Sequence, residues 1–396
     1  MSASPLWQHL GFRRLYLSSA SFVLGTQIYQ LALPLIFYEL TRSAAVMTSV
    51  RAVELLPNLL LAMFIGVWVD RIDRSRWARR AMTGMVVLMG LQALLLPQGA
   101  QMLSLFLGCT FVLMTLNYVY GICRMGLVKE MLPEPLLLPA TGQLTVLSQV
   151  AAVVGPAIAG ALVGWQLSLG LWVPMAALLL AAALLRGLAL PERPFVAAGF
   201  WQDWRAGWRV LRANRPLWQL TWLVVLINGS TGVVEVLFLF RARDELGLPP
   251  ATLGLLYAIA GLGGIAGGLC CSRLRVRFGL GRLMVLGLGL EAVSMTMLAW
   301  ADALPALVGA LTLNSFAIVI GNVCVWGYRQ ESTPGHFIGR ISGLTGSLFK
   351  LVMPLTLLLS GQLAAGQPLG HLLTACAAAQ LLTMLLMRCS AVYPVR

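Results

Sequence analysis

Twelve apolar runs divide this chain, at residues 15–38, 46–69, 81–97, 102–123, 142–164, 168–190, 217–240, 252–272, 282–300, 305–327, 341–363 and 370–389. A helix needs about 20 apolar residues to cross the hydrocarbon of a bilayer. Within lipid the backbone must also satisfy its own hydrogen bonds, so such runs are helices. The predicted fold class is an all-α polytopic membrane protein with 12 transmembrane helices. Composition agrees: 59% of the residues are hydrophobic and 11% charged, against about a quarter charged in soluble domains.

The net charge of +14 does not point to nucleic acid, because the basic residues sit in short connections between apolar runs and form no soluble basic face. With the N-terminus inside, 23 of the 28 Lys and Arg fall on the inner side. By the positive-inside rule both termini are expected in the cytoplasm, in an inner, cytoplasmic membrane. The first run is longer than a signal peptide and no small-residue cleavage site follows it, so it is expected to be retained. The seven Cys have no CxxC spacing and the three His are far apart in sequence. They read as packing residues, with no metal and no cofactor expected. No phosphate-binding loop accompanies Lys129 or Lys350, so ATP is not the direct energy source.

The connection after the second run, Gly66 to Arg80, is strongly basic. Helical steps back from Asp70 give Gly66, Ala62, Asn58, Glu54 and Arg51, one small or polar face. Adding 202 carries Gly66, Asp70 and Arg71 onto Gly268, Ser272 and Arg273, so the chain reads as one half written twice. The eighth run then repeats the small face as Ala260, Gly264, Gly268 and Ser272. In the fifth run Ala152, Pro156, Gly160 and Gly164 recur every four residues and allow close helix approach. The Gly155-Pro156 pair should also loosen that helix locally.

Polar side chains inside the runs mark a possible substrate cavity: Gln27, Gln30, Asn117, Tyr120, Asn228, Asn314, Asn322 and Lys350. Thr110, Asn117, Tyr120 and Arg124 form a stripe down the fourth run. Lys350 shares a helical face with Gly343, Ser347 and Pro354. Between the halves Trp201, Trp204, Trp208 and Leu211 lie on one face and Arg205, Arg209 and Arg212 on another, as in a helix lying flat at the membrane interface. Three carboxylates inside runs, Glu235, Glu54 and Glu291, are the candidates for proton coupling, since a carboxylate partly withdrawn from water can trade protons with its surroundings. For Glu54 the alternative is an ion pair with Arg51, three residues away.

Gly66-x3-Asp70-Arg71-x2-Arg74 after the second span, two parallel halves and a basic central linker resemble the major facilitator superfamily. Asp73 stands where the signature usually has its second Gly, and Ser75 where it has its last Arg. Arg51-Ala52 with Pro57, Phe200 to Arg215, and Gly339-Arg340 are similar to the branch with macrolide efflux proteins and the enterobactin exporter. Gly155-Pro156-x3-Gly160 resembles the fifth-helix motif of exporters. The resemblance implies two six-helix halves, 1–190 and 216–396, joined by a cytoplasmic linker, 191–215. It implies a conformational latch at Gly66, Asp70, Arg71 and Arg74, and helix packing at Gly155, Pro156 and Gly160. The expected activity is export of an amphipathic small molecule (a drug, a macrolide-like compound or a siderophore) by proton antiport, from a monomer in contact with membrane lipid. Movement of a lipid or lysolipid in the same fold is the alternative. A membrane-embedded enzyme is disfavoured because no catalytic constellation sits at an interface.

Overall fold

The computed structural model describes residues 5–69, 73–186, 200–333 and 338–395. Every regular element among them is helical: α1 (Leu10–Thr41), α2 (Ala44–Val69), α3 (Arg74–Leu95), α4 (Leu103–Met131), α5 (Glu134–Trp165), α6 (Leu169–Leu185), α7 (Phe200–Ala213), α8 (Arg215–Asp244), α9 (Pro250–Phe278), α10 (Leu280–Trp300), α11 (Leu304–Ser332), α12 (Ile338–Leu348), α13 (Met353–Leu363) and α14 (Leu369–Arg388). Eleven spans among the described residues are long and apolar enough to cross a membrane, and Leu169–Leu185 is a shorter apolar helix. Asp70 and Arg71 lie outside the described residues, as does most of the linker before Phe200.

Two compact units emerge. One comprises residues 1–41 and 56–197, the other residues 42–55 and 198–396. The helix α2 is thus shared, its first turns belonging with the second unit.

In the first unit α1 packs on α5 where Gly155 faces Gln27; a Cβ on this glycine would lie 2.6 Å from the Gln27 Cβ. Pro139 and Pro156 sit inside α5, yet the helix runs unbroken from Glu134 to Trp165. The loosening expected at Gly155-Pro156 therefore does not interrupt it. The stripe expected on the fourth span is in part a core network. Buried Gln92 donates through Nε2 to Thr110 Oγ1 at 3.0 Å, while the Tyr29 hydroxyl lies 3.0 Å from Gln92 Oε1 and 3.2 Å from Thr110 Oγ1. Pairing of this kind removes the cost of burying these groups.

In the second unit α9 and α11 approach through glycines. A Cβ on Gly263 would lie 2.3 Å from the Thr312 carbonyl oxygen, and one on Gly267 would lie 2.5 Å from that of Phe316. The close face is therefore Ala260, Gly263, Gly264 and Gly267 in place of the expected Ala260, Gly264, Gly268 and Ser272, because Gly268 and Ser272 stay exposed. Arg241 is buried near the end of α8. It donates to the carbonyls of Leu298 (3.1 Å) and Ala301 (2.9 Å) and to Asp302 Oδ1 (2.6 Å), closing the connection after α10. In α7, Leu211 is fully buried while Arg205, Arg209 and Arg212 are exposed, and the Trp208 ring meets Trp218 edge-on at 5.5 Å.

The expected single span over 341–363 is two helices, with a break at 349–352. Pro354 has no N–H for the carbonyl of Lys350, four residues back, so the ladder cannot run through. The Phe349 carbonyl is instead taken by Asn228 Nδ2 at 2.9 Å, and the Thr356 hydroxyl lies 3.0 Å from the Gly229 carbonyl oxygen. Gly229 and Gly232 on α8 leave room for Val352 and Met353 at this point. Lys350 therefore sits in the break itself, and the face it was expected to share with Gly343 and Ser347 does not continue to Pro354.

Each unit also contains the same ion-pair device. In the first, Arg74 Nη1 donates to Glu130 Oε1 at 2.5 Å; a Cβ on Gly126 would collide with the Arg74 side chain at 2.5 Å. In the second, Arg275 donates to both oxygens of Glu331, at 2.8 and 2.5 Å, beside Gly327. The two triplets are related by an offset of 201 residues. Arg74, read as part of a latch, also ties α3 to α4 through Glu130.

Candidate functional site

The first turns of α2 belong to the second unit because their side chains find partners there. Arg51 Nη1 donates to Glu54 Oε2 at 2.8 Å, three residues along the helix. Its Nη2 donates to Glu235 Oε1 on α8, also at 2.8 Å. A single guanidinium so holds two carboxylates on two helices, a geometry that suits its rigid fork of donors.

The two acids differ sharply in their surroundings. The Glu54 side chain is 3% exposed and that of Glu235 51%. Glu54 Oε1 is buried with no hydrogen-bond partner, which leaves one position where a proton could be held without displacing an existing bond. Of the alternatives expected for Glu54, the ion pair with Arg51 is present. Glu235, the first of the proton candidates because the resemblance puts its helix beside a central cavity, is the more open of the two.

Two further groups complete the cluster. Lys350, half-buried in the break before α13, lies within electrostatic reach of Arg51 and has no ion pair among the described residues. Tyr257 on α9 lies within reach of both Glu235 and Arg51. Sequence reasoning missed Tyr257, since a tyrosine in an apolar run carries no signal of its own. The Arg51–Glu235 pair was equally hidden, because 184 residues separate the partners.

Of the other expected residues, Asn228, Asn322 and Glu291 line one small cavity and the rest are dispersed. Gln27, Gln30 and Asn117 are half-buried in the first unit. Tyr120 is fully buried against Phe22, with ring centroids 4.4 Å apart, so it packs in the core and lines no open space. Asn314 is tied through Nδ2 to Ser294 Oγ at 2.9 Å, joining α11 to α10. Asn228 serves the break at Phe349, and Asn322 is exposed. Glu291 on α10 is separate from the cluster: its Oε2 accepts from Gln380 Nε2, and the Ser230 hydroxyl lies 2.8 Å from Gln380 Oε1. Gln380 and Ser230 were not singled out in the sequence.

Apolar spans, an ion pair repeated in each unit and a broken span beside a charged cluster describe a multi-pass membrane protein of the kind that transporters use. The chain belongs to the Major Facilitator Superfamily, whose model matches residues 15–357. It is 24% identical over 380 residues to Macrolide efflux protein A of Streptococcus pyogenes, covering 90% of this chain and 89% of that protein. Among solved structures it resembles the nucleoside transporter NupG, with a TM-score of 0.76 and 11% identity over 98% of this chain and 100% of that one. It also resembles a bacterial homologue of the iron transporter ferroportin, with a TM-score of 0.72 and 18% identity over 95% and 97% of the two chains. At these identities the solved structures speak to fold alone.

Proposed function

We infer that the protein exports an amphipathic small molecule across the cytoplasmic membrane by proton antiport, as a monomer with both termini inside, through alternating access of its two halves. The observation that carries this reading is Arg51 shared between Glu54 and Glu235, with one oxygen of Glu54 buried and unpartnered. Its similarity to a macrolide efflux protein supports the direction and the class of cargo.

Glu235 is the more exposed acid, and we take it as the one that exchanges with water. When it takes a proton, its bond to Arg51 weakens and α8 loses its tie to the first turns of α2, while Arg51 stays on Glu54. The proton can then pass to the open Glu54 oxygen, away from water. A proton-dependent tie between a shared helix and one unit is a means of linking proton binding to conformation. Gln27, Gln30, Asn117, Asn228, Asn322 and Lys350 remain the polar groups proposed to face cargo.

The reading is tested in proteoliposomes with an acidified lumen, by following uptake of a fluorescent amphiphilic drug and, in a parallel arm, of a lysolipid. The gradient is expected to drive drug uptake, an uncoupler to abolish it, and both Glu54→Gln and Glu235→Gln to remove the gradient-driven part. Drug uptake indifferent to the gradient, or lysolipid carried in preference, would contradict it.

A further inference from the structure

Glu291 has no part in the coupling step above, and its surroundings are unlike those of the other two acids. It is 4% exposed. The only hydrogen bond to its carboxylate among the described residues is the one that Gln380 gives to Oε2. No Lys or Arg among the described residues pairs with it, and Oε1 accepts nothing. A carboxylate in that position is expensive unless something complements it.

In front of it lies a cavity of about 70 Å³ between α8, α10 and α11. Met284, Leu288 and Ile318 supply apolar wall, while Asn228 and Asn322 bring amides to the same space. Asn228 gives its NH₂ to the Phe349 carbonyl, so its Oδ1 is left as an acceptor. A small apolar chamber with a buried carboxylate and an amide oxygen selects a group that is positively charged, donates N–H bonds and carries carbon substituents. A bare metal ion would need several more oxygens than these walls offer. An anion would be repelled.

We propose that this chamber seats the protonated amine of the transported molecule, which makes the cargo a cationic amphiphilic amine. That the amine is cargo rests on the export reading; that the chamber binds it does not.

The test is a binding titration of the purified full-length protein in uncharged detergent at pH 7. The probes are a naphthyl-alkyl dimethylamine and the neutral amide of the same skeleton. The wild type is expected to hold the amine about tenfold or more tighter than the amide, as befits a buried charge pair. Glu291→Gln should erase that preference. Gly321→Val gives a second variant in case Glu291→Gln folds poorly, because Gly321 lines the chamber and a Cβ there meets only Glu291 Oε1, at 3.9 Å. Equal affinity for the two probes, or a preference that survives both substitutions, would overturn the proposal. The two readings fail separately. An amine preference in binding without amine transport in vesicles removes the export reading and leaves the subsite. Transport without any amine preference does the reverse.

Discussion

Arg51→Ala is expected to lower the stability of the protein by about 3 kcal/mol, the low end for removing one partner of a buried ion pair. Glu54, 3% exposed, would be left with neither of its carboxylate oxygens complemented. Uptake of a proton by Glu54 limits the loss, which is why the low end applies. The paired replacement Arg51→Gln with Glu54→Gln removes both charges and is expected to recover most of the stability but none of the proton coupling. Glu235→Gln alone should cost under about 1 kcal/mol, since its side chain is half exposed. Reversible unfolding in mixed micelles measures all three. A single Arg51→Ala no worse than Glu235→Gln would mean that Glu54 is not held as described.

The second large effect is steric. Gly263→Leu and Gly267→Leu should each cost roughly 3 kcal/mol or more, beyond the ordinary range for overpacking, because the obstacle is a backbone carbonyl of α11 and cannot rotate away. The contacts at issue are 2.3 Å to the Thr312 oxygen and 2.5 Å to the Phe316 oxygen. Gly268→Ala, whose nearest neighbour is Val319 Cγ1 at 3.7 Å, should change stability by no more than about 0.5 kcal/mol. Thermal unfolding of the three variants separates these cases. Equal losses at 267 and 268 would place the α9–α11 contact on the wrong face.

That comparison shows what the sequence could and could not supply. Hydropathy and a repeat of about 200 residues revealed the helices and the two halves, because span length and backbone satisfaction are properties of each segment alone. The face on which α9 packs was misplaced by one residue: Gly263, Gly264, Gly267 and Gly268 lie side by side, and spacing by four fits either pair. The break before α13 was masked because the run from Ile341 to Leu363 stays apolar throughout. Pro354 was visible, but the break also depends on Asn228 reaching the Phe349 carbonyl from α8.

The charged residues show the same division. Glu54, Glu235, Glu291, Arg51 and Lys350 were identifiable as groups that lipid would not tolerate without a reason. Which of them meet could not be inferred, since a partner 184 residues away leaves no local pattern. Arg51 with Glu54 was legible because both lie on one helix turn. The repeated pairs Arg74–Glu130 and Arg275–Glu331 became visible only once the repeat was aligned on contacts, at an offset of 201 in place of 202.

The most direct test of proton coupling through the Arg51 cluster is proton release on cargo binding. Purified protein in weakly buffered detergent solution is mixed with the amphiphilic amine while a pH indicator is followed. Wild-type protein is expected to release protons on binding, and Glu54→Gln to bind the amine with no proton released. Release of the same size from Glu54→Gln, or none from the wild type at saturating amine, would contradict the assignment.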